Sequence, residues 1–266
     1  MRVRATCSLL FVFGIAGQLA APGRACARHI RPLFEPTDLE IDQPGVIEAD
    51  LQFGLVRGDG ALRVVVPDFE LDVGLLPNLE FDLDGAYAIE ARSRGPFSFD
   101  HAAPDSLWPA AKLAFYDAHN DADQSAFAFG IQLGPKLPVA AAAHGVGTEG
   151  IALLGTSYAI VHAVWNAGGF VDPAPDRSSS QRPRGFEFGV DVDVDLDDEQ
   201  RFSLNGSVSM VHFLSQDPDQ LLTAAGVTWS ISDTLDVSLT GLVGMLAGGD
   251  RYGILLGVSP KFALFD

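Results

Sequence analysis

A chain of 266 residues with 35 acidic against 17 basic side chains, a formal net charge of −18, offers nothing to a phosphate backbone, so nucleic-acid binding is excluded. Yet 47% of its residues are hydrophobic, far more than so acidic a chain needs if it lives in water. Both cysteines, Cys7 and Cys26, lie near the N-terminus, so beyond residue 27 no thiol serves a disulfide framework or a Cys-based metal centre.

Residues 1–27 hold Arg2 and Arg4, an apolar run from Leu9 to Ala21 and the small-residue ending Ala25-Cys26-Ala27. This is the anatomy of a cleaved secretory signal peptide. The run is too short to span a bilayer as a helix, and no later unbroken apolar stretch of ~18 residues replaces it. Gly23-Arg24-Ala25 puts a charge where a lipobox has small or apolar residues, which argues against lipidation of Cys26. Loss of residues 1–27 leaves 14 basic against 35 acidic residues, a net of −21.

Residues 28–45, with Pro32, Pro36 and Pro44, read as a periplasmic entry segment. From Val46 the chain alternates: Ile47, Ala49, Leu51, Phe53 and Leu55 against Glu48, Asp50, Gln52, Gly54 and Val56. A turn at Arg57-Gly-Asp-Gly60 leads to Val65, Phe69, Leu71 and Val73 against Asp68, Glu70 and Asp72, with Pro67 demanding a bulge or a non-bonding position. After a reversal at 76–78, Leu79, Phe81, Leu83, Tyr87 and Ile89 oppose Glu80, Asp82, Asp84 and Glu90. Such alternation places apolar and acidic side chains on opposite faces of a strand.

A long polar connection over 92–107 precedes a strand near Trp108 to Asp117, a short turn at 119–123 and a strand near Ser125 to Gly134. Another connection covers 135–149. Residues 150–170 divide into strands around 151–157 and 161–171, although no strong turn signal separates them. Residues 172–184 form a third long connection. Then comes the cleanest alternation in the chain: Phe186, Phe188, Val190, Val192, Val194 and Leu196 against Glu187, Gly189, Asp191, Asp193 and Asp195. Further strands follow at Phe202–Phe213, around Leu221 to Ile231, around Leu235 to Val243 and from Tyr252 to Leu264, making twelve.

Alternate connections are tight while several of the intervening ones are long, and most runs give ~9–11 residues, the length that crosses a bilayer at a tilt. The fold expected over 46–266 is therefore all-β: a closed antiparallel transmembrane β-barrel of about 12 strands, an up-and-down meander with apolar parity toward lipid and polar parity toward a lumen. The carboxylates expected to line that lumen are Glu48, Asp50, Asp68, Glu70, Asp72, Glu80, Asp82, Asp84, Asp191, Asp193 and Asp195. An even strand count leaves both termini periplasmic. Trp108, Trp165, Trp229, Tyr87, Tyr158 and Tyr252 suit interfacial girdles.

Lys136-Leu-Pro138 before a Gly-rich loop, Asn166-Ala-Gly-Gly-Phe170 at a strand end, and an amphipathic last strand ending in Phe265 complete a sequence that resembles Gram-negative outer-membrane β-barrels. In particular it is similar to the outer-membrane transporter family associated with phenol-degradation pathways. The resemblance spans most of Val46 to Phe265 and implies an outer-membrane barrel passing small molecules; it carries no binding residues across. One departure is the terminal Asp266 after Phe265, out of phase with Phe262 and Leu264, which calls for a degenerate insertion signal or a bulge at Pro260.

Asp191, Asp193, Asp195 and Asp197 invite a calcium-loop reading, but the sixth and twelfth positions of such a loop hold Leu196 and Phe202 instead of Gly and Glu. Gly155-Thr-Ser157-Tyr-Ala159 brushes against a nucleophile elbow, and His162 lies five residues beyond Ser157. The elbow requires a helix after the turn, and another apolar strand follows here, with no acidic partner identifiable. No catalytic residue, metal or cofactor is assigned, and lipid hydrolysis is kept as the lesser alternative. The expected partners are outer-membrane lipid and lipopolysaccharide, the barrel-insertion machinery during biogenesis, and a small solute. The mature chain should begin at Arg28. Intact mass checks this: a mature protein retaining residues 1–27, or a diacylglyceryl adduct on Cys26, contradicts it.

Overall fold

A computed structural model describes residues 41–58, 62–91, 99–120, 125–139, 143–174, 182–197 and 199–264. Residues 1–40, which hold the expected signal peptide and most of the expected entry segment, lie outside them. The described residues form twelve strands: β1 (Val46–Arg57), β2 (Leu62–Leu76), β3 (Leu79–Ala91), β4 (Phe99–Asn120), β5 (Ser125–Pro138), β6 (Gly147–Tyr158), β7 (Val161–Val171), β8 (Arg184–Asp195), β9 (Phe202–Phe213), β10 (Gln220–Ser232), β11 (Leu235–Gly244) and β12 (Tyr252–Ala263). Each pairs antiparallel with the next, and β1 pairs with β12 from Val46↔Ala263 to Arg57↔Tyr252, closing a twelve-strand up-and-down barrel.

The two faces of this wall follow from alternation. Phe53, Leu55, Phe186, Phe188, Val227, Trp229, Ile254 and Leu256 are exposed on the convex side. Their neighbours in sequence, among them Glu187, Leu255 and Gly257, are buried on the concave side. The aromatic residues split accordingly. Trp165, Trp229, Tyr158 and Tyr252 are exposed outside, where Trp229 stacks on Phe202 with ring centroids 5.8 Å apart. Trp108 departs from the girdle expectation: it is 6% exposed and packs on the inner wall with Ala110, Ile151 and Leu153. The intervening strand β5 presents small inward residues, Gly130 and Gly134, over which these side chains reach. The side chain of Tyr87 lies outside the described residues.

Two further apolar patches share the concave side, Val56–Val65–Leu242–Leu255 and Phe170–Val211–Phe213. Val65 was expected with the lipid-facing set, yet it faces inward. The β1–β2 register runs from Gln52↔Asp68 to Gly54↔Val65, so one extra β2 residue is looped out at Pro67, which has no N–H for the ladder. That extra residue flips the parity of everything before it.

Three boundaries also differ. The connection expected over 92–107 is largely strand, since β4 begins at Phe99 and pairs through Pro104↔Tyr87 to Ala91. Likewise β5 runs to Pro138 and β6 starts at Gly147, which shrinks the expected 135–149 connection to residues 139–146. A ladder needs only backbone, and where a strand leaves the bilayer both faces meet water, so alternation stops marking it. The division of 150–170 stands, with the reversal at Ala159-Ile160 and Ala159 at φ 52°, a left-handed conformation taken without Gly or Asn. No register shift occurs at Pro260, which pairs with Leu235 in a regular β11–β12 ladder.

Arg at the bilayer midplane costs roughly 2–4 kcal/mol on the lipid face, whereas an inward position keeps polar neighbours. Val192→Arg should therefore impair insertion where Asp193→Arg does not. Heat-modifiability on a gel checks it, and equal tolerance contradicts the facing.

Candidate functional site

Alternation puts one carboxylate at every second position of β1, β2 and β3, and register then stacks them across strands. Glu48, Asp72 and Asp82 form one row of directly opposed residues, and Asp50, Glu70 and Asp84 form the next. Asp68 stands opposite Gln52. Like charges placed directly opposite one another destabilise a sheet, so this wall needs compensating charge.

Two lysines supply part of it. Lys112 on β4, opposite Glu80 in the ladder, places Nζ 2.7 Å from Glu80 Oε1, with both side chains almost fully buried. Lys261 on β12 lies 2.7 Å from Glu48 Oε2. Gln132 on β5 donates through Nε2 to Asp82 Oδ2 at 2.6 Å. The backbone N–H of Asp42 donates to Glu80 Oε2 at 2.6 Å, which fastens the end of the entry segment inside the mouth of the barrel. Gly74 makes room for it: a Cβ at that position would overlap the carbonyl oxygens of Asp42 and Gln43. Glu80 is thus satisfied at both oxygens. Asp72 Oδ1 and Asp82 Oδ1 are buried without a hydrogen-bond partner.

The eleven carboxylates singled out above do not gather in one place. Eight are on β1–β3, while Asp191, Asp193 and Asp195 are on β8, half the circuit away. There Asp195 Oδ2 lies 3.1 Å from His162 Nε2, and His162 Nδ1 lies 3.0 Å from Ser157 Oγ. The acidic partner that Ser157 and His162 lacked in sequence is therefore Asp195, brought in by β7–β8 pairing. Gln200 also donates to Asp195 Oδ2, at 2.9 Å. Ser157 nevertheless sits in an unbroken ladder, opposite Ala126 on one side and His162 on the other. An elbow would aim free backbone N–H groups at an oxyanion; here the flanking backbone belongs to the sheet. The geometry is that of a hydrogen-bonded relay holding the short-turn end of β6, β7 and β8 together.

The opposite end carries ion pairs that sequence reasoning passed over. Lys136 binds Glu149 and reaches Asp172 Oδ1 at 3.2 Å, and its Nζ lies 5.8 Å from the Phe170 ring centroid. Arg63 pairs with Asp250. Arg182 donates to the carbonyls of Asp172 and Val146, joining two connections. In the 214–219 connection, the His212 ring and the Phe213 N–H hold the Asp219 carboxyl below the usual carboxylate range. Lys136, Asn166 and Phe170 stood in the motifs quoted above, but their inward placement was not legible there. The parity of Lys136 relative to Phe127 and Phe129 was the one available signal.

No family model matches the sequence, and no curated protein matches it. Solved structures do. An outer-membrane channel from Pseudomonas putida F1 superposes with a TM-score of 0.56 at 12% identity, covering 86% of this chain and 99% of that one. The two chains share a closed β-barrel fold. The KdgM porin is also similar, with a TM-score of 0.47 at 8% identity over 82% of this chain and 99% of that chain.

Within the barrel, Lys112 is the cation on which the acidic wall depends most directly. Lys112→Met strands Glu80 as a buried charge, and breaking such a pair costs about 3–5 kcal/mol. The denaturant midpoint of the refolded barrel in detergent should fall accordingly, whereas Lys261→Met, at a more exposed pair, should change it little.

Proposed function

We propose that this barrel resides in the outer membrane and passes small solutes through an acidic lumen that prefers cations. The observation that carries the reading is the pair of opposed carboxylate rows, Glu48–Asp72–Asp82 and Asp50–Glu70–Asp84, facing Asp191, Asp193 and Asp195 across a closed ring of strands. Among the described residues the β1–β3 wall presents eight carboxylates, with Lys112 and Lys261 as their paired lysines. The field of such a wall raises the barrier for anions and concentrates cations, most strongly at low salt. The exposed aromatic and aliphatic outer face, the export signal read in residues 1–27, and the fold shared with an outer-membrane channel support the location. Lipopolysaccharide and phospholipid are then the surrounding partners, and the barrel-insertion machinery acts during biogenesis.

A plugged barrel is the second reading, favoured by a specific feature: Asp82, Glu187 and Leu153 on the concave side have no solvent exposure at all. Eight strands are filled by their own side chains and sixteen leave a channel, so twelve stands between.

Reversal potentials in planar bilayers across a salt gradient distinguish the readings. The expected result is cation preference that grows at low salt and shrinks when Asp191, Asp193 and Asp195 are changed to Asn. Anion preference overturns the acidic-lumen mechanism, and a silent bilayer with correctly folded protein favours the plug.

A further inference from the structure

The wall of β1–β3 contains an arrangement that solute passage does not require. Asp50, Glu70 and Asp72 present carboxylate oxygens within 4.8 Å of one another, and so do Asp72, Glu80 and Asp82, with Asp72 common to both sets. Crowded acids alone are unremarkable on a wet surface. Here Asp72, common to both sets, is 8% exposed and Asp82 is fully buried, while Asp50 and Glu70 are half-buried.

The hydrogen-bond inventory adds an independent observation. Asp72 Oδ1 and Asp82 Oδ1 are buried with no partner, and so is Oε1 of Gln132, a neutral side chain whose amide nitrogen already serves Asp82. Three orphaned acceptors, on β2, β3 and β5, therefore occur on one side of the ring. Buried acceptors are ordinarily satisfied, and leaving several bare is costly. Lys112 is engaged with Glu80 and the Gln132 amide nitrogen with Asp82, and the acceptors left over are completed by a cation rather than by another acceptor.

Size and charge narrow the choice. Oxygens on opposite sides of a calcium-sized ion, each at about 2.3–2.6 Å, are separated by roughly 4.6–5.2 Å, which accommodates the observed grouping. Glu80 already accepts from Lys112 and from the Asp42 N–H, so the Asp50–Glu70–Asp72 set has the greater capacity for added charge. We propose that Asp50, Glu70 and Asp72 bind one hard divalent cation of the calcium class on the inner wall, with Asp82 beside it. This site is distinct from the Asp191–Asp197 stretch and is independent of whether the lumen conducts. Bound there, the ion ties β1 to β2 and relieves the repulsion between the opposed rows.

The test uses full-length mature protein refolded in detergent free of lipopolysaccharide, stripped with chelator and titrated with calcium by calorimetry, in parallel with terbium luminescence. Trp108 stands opposite Asp84, which stands opposite Glu70, about two strand spacings or ~10 Å away, close enough to sensitise bound terbium. The expected result is saturable binding of one calcium, displacement of terbium by calcium, and at least tenfold weaker binding in Asp72→Asn with no change in Asp193→Asn. Trp108→Phe should dim the terbium signal while leaving calcium binding intact. Wild-type affinity in Asp72→Asn, the absence of saturable uptake by folded wild-type protein, or an equal response to sodium at matched ionic strength overturns the proposal. If Asp72→Asn does not fold, as judged by heat-modifiability, Glu70→Gln is read in its place by the same criteria. No current is measured, so failure here leaves the channel reading standing.

Discussion

Closure of the backbone ladder is the constraint on which everything else rests. In hydrocarbon no water is available for an unpaired N–H or C=O, so a β-structure survives there only if its first strand meets its last. The β1–β12 register meets that demand from Val46↔Ala263 to Arg57↔Tyr252, and the link extends one step outside the strands where Leu264 N–H donates to the Gly45 carbonyl at 2.7 Å. Once the ring is closed, every strand has a lipid side and an enclosed side, and alternation converts directly into chemistry on each.

The acidic wall is a consequence of that closure and is in tension with it. Opposed carboxylates on β1, β2 and β3 repel across a ladder that must stay intact. The structure answers with local devices: Lys112 buried against Glu80, Lys261 against Glu48, the Gln132 amide on Asp82, and the Asp42 N–H on Glu80. That last bond links the entry segment to the inner wall, so chain entry, wall electrostatics and the small residue at Gly74 form one coupled unit. The far wall solves a milder problem in another way, with His162 and Gln200 sharing Asp195.

The concave side is less uniformly polar than strict alternation suggests. Val56, Val65, Leu242 and Leu255 make an apolar patch near the ends of β1 and β2, and Trp108 with Leu153 makes another over the glycines of β5. Carboxylate rows and apolar patches thus share one wall.

Alternation in the sequence by itself determined the strand count, the meander, the sidedness of residues such as Phe188 and Asp191, and even the unmarked reversal at 159–160. Each of these is set by the identity of neighbours along the chain, because side-chain direction in a strand repeats every two residues. It also demanded something unusual at Pro67. What only the tertiary structure decided is everything that depends on register. The bulge at Pro67 turned Val65 inward, and pairing stacked Glu48 on Asp72 and Asp82. The β7–β8 ladder delivered Asp195 to His162. Closure also separated the β8 acids from those of β1–β3 by half the ring. Polar stretches such as 99–107 hid their strand because, outside lipid, the backbone pairs whatever the side chains are. Cross-strand partners are tens of residues apart in sequence, and a single looped-out residue changes which of them meet, so no local pattern carries that information.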